Sequence, residues 1–190
     1  TLRNSSAASD VYKRQVPAIV KAAHASGVHV ALDNTYAAGV MFDAFAHGVD
    51  ISMQALTKYV GGHSDLLLGS VSTRDAAGVE KLGPIYQQLG LAVSPDDCSL
   101  ALRGLQTLAL RLDMLEKSAL TIAHWLAEQP LVDRVLHPAM ASCPGHDLWV
   151  RDFSGSTSVF SFVFDNHIDA KQVINFINNL QIFRLSLIHI

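Results

Sequence analysis

Two cysteines, Cys98 and Cys143, are all that the 190 residues contain, and they stand far apart with no CxxC or Cys/His spacing. That scarcity speaks against a disulfide framework or a zinc site and fits a reducing, cytoplasmic setting. Basic clusters are missing as well. Lys and Arg number 14 against 17 Asp and Glu, for a formal charge of −3, so a nucleic-acid partner, which needs a basic stripe, is not expected. No apolar run approaches the ~20 residues that span a bilayer, and no membrane partner is expected either. Phosphate-loop and dinucleotide motifs are absent. Gly62-His63-Ser64-Asp65-Leu66 lacks the second glycine of a nucleophile elbow, and Asp152-Phe153-Ser154 has no other kinase element around it. The nine histidines fall at no metal-ligand spacing on a shared helix face, so no metal is assigned. The chain does not begin with methionine and shows no secretory pattern, which leads us to expect an internal piece of a longer protein.

What the sequence does have is the composition of a core-former, 49% hydrophobic and 16% charged. Pro17 opens a short helix that Gly27 closes. Val28 to Leu32 is a compact, β-branched run that reads as a buried strand ending in the polar Asp33-Asn34-Thr35-Tyr36. A short helical piece over Met41 to His47 leads to a second strand, Ile51 to Ala55; Leu66 to Val71 reads as a third strand and Ala76 to Leu89 as a helix. Strand, crossover and strand again is the pattern of a mainly parallel sheet covered by helices. Ser94-Pro95-Asp96-Asp97 caps a long helical segment running to about Glu128, with Leu105, Leu108, Leu112, Leu115, Ala119, Ile122 and Leu126 in a heptad-like stripe. A helix lying along its own domain explains that stripe more simply than a coiled coil. Beyond Pro130, a strand over Val132 to Leu136, a loop over His137 to His146, a strand with Phe160, Phe162 and Phe164, and a helix over Ile168 to Leu180 with Ala170, Val173, Ile174 and Ile177 inward suggest a second, smaller α+β unit. Residues 16–130 and 131–183 are therefore expected to belong to different domains. Residues 1–15 and 184–190, without periodicity or turn chemistry, are set aside as non-native.

The chemistry centres on Lys58. Ile51 to Ala55 ends in Thr57-Lys58, and Gly61-Gly62 then frees the backbone. A lysine where a strand gives way to a glycine loop lies at the mouth of the crevice in which open α/β sheets bind ligands. Alone, such a lysine is most often a solvated surface residue, and an aspartate at a strand end is most often a turn residue. Asp33, however, ends one strand and Lys58 follows the next; in a parallel pair both face the same edge of the sheet. A carboxylate and an amine in one crevice are what pyridoxal phosphate chemistry requires: the amine to form a Schiff base with the cofactor aldehyde, the carboxylate to keep the pyridine nitrogen protonated. Desolvation in the crevice would favour the uncharged amine as nucleophile and base. Tyr59, Gly61, Gly62 and His63 are read as shaping the loop, His63 as a structural hydrogen-bonder.

The joint pattern Leu-Asp-Asn-Thr (32–35) and Thr-Lys-Tyr-Val-Gly-Gly-His-Ser-Asp (57–65) strongly resembles the lysine signature of the Cys/Met-metabolism family of pyridoxal-phosphate enzymes. The resemblance extends from about Val16 to Phe183, through Asp33–Gly39, Gln54–Tyr59, Arg103–Leu108, His124–Glu128 and Gly145–Gly155. Ala55 stands where γ-lyase and γ-synthase members usually carry serine, as in the bacterial β-lyase branch. The resemblance implies fold type I: part of the large mainly parallel-sheet domain and the start of a smaller α+β C-terminal domain. It implies pyridoxal 5'-phosphate as cofactor, with Lys58 as the catalytic, cofactor-bearing lysine, Asp33 on the pyridinium nitrogen and Thr57 on the phosphate. It implies carbon–sulfur lyase activity on a small thioether amino acid, L-cystathionine or a relative, with γ-lyase or γ-synthase activity, or an inactive fragment, as the alternatives. A homo-oligomer, a dimer of dimers, is implied for the full-length enzyme. The ring-stacking tyrosine, the phosphate glycine loop, the substrate-carboxylate arginine and the neighbouring subunit's contributions that the family implies all lie outside this chain.

Overall fold

The computed structural model describes residues 16–182. Helix α1 (Val16–Ala25) precedes strand β1 (Ala31–Asp33). Gly27, at φ +70°, makes the left-handed turn that releases the chain from the helix. β1 pairs in parallel with β2 (Ile51–Ala55), Asp33 opposite Met53, so both strands deliver their carboxyl ends to one edge. β3 (Gly69–Thr73) pairs antiparallel to β2, with Ala55 opposite Gly69. The sheet order is β1-β2-β3. The third strand therefore begins three residues later than the apolar run Leu66–Leu68 suggests and runs the opposite way, returning directly from the Lys58 loop without a crossover.

Other differences are local. The segment between β1 and β2 is a chain of turns rather than a short helix over 41–47. It nonetheless buries Ala37, Phe42, Ala44 and Val49 against Val20 of α1, and this cluster plugs the sheet from one side. The helix after β3, α2 (Ala76–Gln88), is capped by Asp75, whose side chain accepts from Gly78 N–H. Ser94 caps α3 (Pro95–Gln106), accepting from Asp97 N–H. The long helical stretch is two helices. It breaks at Thr107, whose N–H turns back to Gly104 O, and resumes as α4 (Leu108–Ala127).

α4 buries Leu108, Leu112, Ala119 and Ala123, while Leu105 and Ile122 of the heptad-like stripe are exposed. Leu108 and Leu112 pack with Val60, Leu66, Ala38 and Ala101 in a second cluster beneath the Lys58 loop. The stripe is thus the face by which α4 supports its own domain. No helix among the described residues is long and apolar enough to cross a membrane.

β4 (Val132–Leu136) and β5 (Ser161–Phe164) form a separate antiparallel pair. Between them lies helix α5 (His146–Asp152), unanticipated because Pro144 and the left-handed Gly145 that starts it read as loop. α6 (Ala170–Asn178) opens with a reciprocal capping box between Asp169 and Gln172. Its Val173 and Ile177 are half-buried; Ala170 and Ile174, expected inward, are exposed. Residues 153–158 reach back to the first sheet, with Ser154 N–H donating to Met41 O at 2.9 Å and Phe153 against Phe42 at 4.8 Å between ring centres.

Candidate functional site

Three consecutive residues build the end of β1. Asn34 N–H donates to Met53 O at 2.8 Å, the last main-chain rung of the parallel pair. Thr35 Oγ1 then accepts from Ala55 N–H at 2.8 Å. Asp33 Oδ1 accepts from Thr35 N–H at 3.0 Å, which turns the carboxylate back over the strand end. Buried Asn34 donates through Nδ2 to Phe42 O at 3.1 Å, tying the turn to its supporting cluster. Asp33 itself is exposed, and among the described residues its Oδ2 has no hydrogen-bond partner.

Lys58 lies three residues past the end of β2, in a tight turn. Lys58 N–H donates to Ala55 O, Gly61 N–H to Leu56 O, and Gly62 N–H to Lys58 O. Gly62 holds φ +74°, a conformation that suits glycine. His63 Nδ1 donates to Gly61 O at 2.7 Å, the structural role expected of it. Lys58 is exposed, and its amine makes no ion pair or hydrogen bond among the described residues. The desolvation that the sequence leads one to expect around that amine is therefore not supplied by residues 16–182.

Thr57 is more constrained. Its Oγ1 accepts from Leu68 N–H at 2.9 Å and donates to Leu68 O at 3.2 Å, pinning the start of the turn to the approach of β3. Its proton is already in use. To donate to a phosphate, the hydroxyl has to release Leu68 O.

Tyr59, read from sequence as shaping the loop, and residues with no role assigned from sequence complete the surroundings. Thr157, fully buried, donates through Oγ1 to Tyr36 O at 2.9 Å, and Tyr36 OH donates to Val159 O at 3.2 Å. Tyr59 OH lies 3.2 Å from Ser158 Oγ. The Glu116 carboxylate accepts from both Ser156 N–H and Ser156 Oγ at 2.7 Å, charged bonds that fix this returning segment. The segment so held touches the residue after Lys58 and the loop after Asp33. The only signal for it in the sequence is its membership of the 145–155 pattern and the small polar run beyond.

Far from this edge, Asp50 binds the amino ends of the strands. Its Oδ2 accepts from Val30 N–H and from His24 Nε2, both at 2.8 Å, and its Oδ1 from Arg74 Nη2 at 3.2 Å. The Val30 amide, then the His24 bond, hold its carboxyl down at about 2. Asp152 is likewise lowered, chiefly by its hydrogen bond to Arg151. Two surface hollows, one lined by Lys21, His47 and Arg151 and the other by His29, Asp50 and Arg74, include neither Asp33 nor Lys58.

The fold and this edge define an α/β protein that presents one carboxylate and one amine from adjacent parallel strands. A carboxylate oxygen without a partner and an amine without an ion pair are the donor set that a pyridinium nitrogen and an aldehyde require, so these residues fit pyridoxal phosphate. The pattern of the Cys/Met metabolism PLP-dependent enzyme family matches residues 7–187, and the chain belongs to that family. It is 40% identical over 173 residues to a cystathionine beta-lyase of Haemophilus influenzae, covering 90% of this chain and 43% of that protein. It is 33% identical over 171 residues to a cystathionine gamma-lyase of Dictyostelium discoideum, covering 90% and 44%. The crystal structure of cystathionine gamma synthase from Xanthomonas oryzae pv. oryzae in complex with cystathionine superposes with a TM-score of 0.83 at 33% identity, again over 90% of this chain and 44% of that one. The chain thus spans about half the length of the curated relatives it matches. The fold is part of fold type I, shared with these enzymes, and the family's cofactor is pyridoxal 5'-phosphate.

Proposed function

We propose that this chain forms the cofactor-lysine portion of a carbon–sulfur lyase that converts L-cystathionine and water to homocysteine, pyruvate and ammonia. The observation that carries the reading is the parallel register of β1 and β2, with Asp33 opposite Met53, which brings Asp33 and the Lys58 turn to one edge of the sheet. Lys58 would hold the cofactor through its amine, and the same amine would serve as the base that moves the proton of the substrate α-carbon. Asp33 would face the ring nitrogen with the oxygen that Thr35 leaves open and would keep that nitrogen protonated. Bound pyridoxal phosphate supplies an electron sink for the pair left when the α-proton departs. Thr57 is assigned to the phosphate, its hydroxyl turning from Leu68 O. Residues 16–130 are assigned to the cofactor domain and 131–183 to the start of the smaller one. A homo-oligomer completes the site.

The β specificity is supported by Ala55 at the position where γ-class members usually carry serine and by relatives named as β-lyases at about 40% identity. The γ reading is favoured by structural neighbours that include a γ-synthase of Xanthomonas oryzae pv. oryzae and a γ-lyase of Lactobacillus plantarum. The full-length protein, supplied with L-cystathionine and the cofactor, decides between them. Pyruvate with homocysteine is the expected product pair. 2-Oxobutyrate with cysteine means γ-elimination and overturns the β assignment. Loss of both in Lys58→Ala, with circular dichroism unchanged, is expected of the cofactor lysine.

A further inference from the structure

In the turn that carries Lys58, the N–H groups of Lys58, Gly61 and Gly62 bond back to the carbonyls of Ala55, Leu56 and Lys58, which leaves other carbonyls of the turn to partners outside it. Tyr59 O and Val60 O face outward, toward the junction of α3 and α4, and both are met by Arg111 in the first turn of α4. Nη1 donates to Tyr59 O at 2.6 Å, and Nη2 to Val60 O at 3.1 Å and Gly104 O at 2.8 Å; Nε donates to Thr107 Oγ1 at 3.1 Å. One guanidinium therefore joins three main-chain carbonyls from two segments, with its own plane fixed by Thr107. It forms no ion pair among the described residues, and its charge strengthens each of these bonds.

Two bare positions make this grip possible. A Cβ on Gly62 would lie 2.2 Å from Arg111 Nη1, and a Cβ on Gly104 would lie 2.0 Å from Val60 O. The turn thus rests on the side-chain-free face of α3 at Gly104 and is clasped by Arg111 from α4. The break between the two helices belongs to the same arrangement, because Gly104 O accepts from Thr107 N–H and from Arg111 instead of continuing a single ladder. The Arg103–Leu108 pattern, which the proposed chemistry leaves without a role, is the platform for the lysine turn.

We propose that Arg111 is a positioning residue for Lys58: by fixing the carbonyls of Tyr59 and Val60 it sets the backbone from which the amine projects toward the Asp33 edge. The proposal rests on Lys58 being the cofactor lysine. Wild-type, Arg111→Lys and Arg111→Gln proteins are incubated with pyridoxal phosphate across neutral to alkaline pH and reduced with borohydride. Adducts at Lys58 and at exposed Lys81 are then quantified by peptide mass spectrometry. Hydrogen exchange of residues 58–64 is followed in parallel.

The expected result is native circular dichroism, unchanged labelling of Lys81, faster exchange over 58–64, and about a tenfold or greater fall in Lys58 adduct in both variants. Lysine keeps the charge but not the fork, so Arg111→Lys does not restore labelling. Wild-type labelling of Lys58 in a folded variant overturns the proposal, and so does faster exchange with labelling intact, which marks a merely structural clasp. If both variants fail to fold, Gly104→Ala, which displaces the Val60 carbonyl and leaves Arg111 in place, is expected to show the same selective loss. Wild-type labelling there also overturns it. A wild-type protein with no adduct at Lys58 sinks the cofactor reading itself and is distinguishable from both.

Discussion

Thr35 Oγ1 accepts the Ala55 N–H at 2.8 Å, and with that one bond the turn after Asp33 is fastened to the strand that leads to Lys58. β1 ends at Asp33, and its main chain makes its last rung to β2 through Asn34. The Thr35 hydroxyl supplies the next rung from a side chain. A buried threonine thus ties the turn that follows Asp33 to the strand that precedes Lys58.

Replacing that hydroxyl tests the link. Thr35→Val keeps the shape but leaves the half-buried Ala55 N–H without an acceptor, at a cost of about 1–3 kcal/mol. Thermal unfolding should register that loss, and Lys58 labelling by pyridoxal phosphate should fall with it in the protein that remains folded. Thr35→Ser retains the oxygen and is expected to keep the labelling. Equal labelling in all three proteins would detach Thr35 from the site.

Asp33 separates charge from geometry. Asp33→Asn still offers an oxygen to Thr35 N–H, so the turn persists and the unfolding midpoint should hardly move. The amide cannot keep a pyridinium nitrogen protonated. Turnover of L-cystathionine by the full-length protein is expected to drop by about 10²-fold or more, the scale seen when one preorganised electrostatic contact is removed. A rate near wild type would take Asp33 out of the mechanism.

The sequence yields the chemistry more readily than its supports. Val28–Leu32 and Ile51–Ala55 read as strands because their apolar, β-branched runs end in polar turns, and that alone brings Asp33 and Lys58 to strand ends. Strand direction leaves no such trace. A buried run reads alike both ways, and β3 turns out antiparallel to β2. The break at Thr107 is equally silent, since the apolar stripe continues across it and no proline marks it. Arg111 looks like an ordinary polar position on a helix. Its partners, Tyr59 and Val60, lie 52 and 51 residues upstream, and only the fold brings them within reach. Local pattern encodes elements, whereas a clasp on main-chain carbonyls depends on positions that no spacing rule relates.

The opposite end of the sheet carries a pH signature. Asp50 holds its carboxyl at about 2, below the ordinary 3.8, because the Val30 amide and His24 bond its charged form. A depressed carboxylate contributes stability that is complete above the unfolded-state value and disappears as pH falls through the folded-state value. Asp50→Asn should therefore be less stable than wild type at neutral pH, with the gap closing between about pH 4 and pH 2. Urea midpoints of the two proteins measured across that range check it. A gap independent of pH would place the effect in packing rather than charge.

Thr57 faces two demands at once. Its hydroxyl bridges Leu68 N–H and Leu68 O, and the same proton is the one a phosphate oxygen would accept. Thr57→Val removes both possibilities. Leu68 N–H loses its acceptor, lowering stability by about 1–3 kcal/mol. If Thr57 also holds the phosphate, affinity for pyridoxal phosphate should fall by about tenfold, the scale of one charge-assisted hydrogen bond. Thr57→Ser preserves the oxygen and is expected to retain both stability and affinity. Absorbance titration with the cofactor, run beside thermal unfolding, separates the contributions. A valine variant that melts early yet binds pyridoxal phosphate as tightly as wild type would make Thr57 a strand staple alone, and the phosphate would then have to be held by other residues.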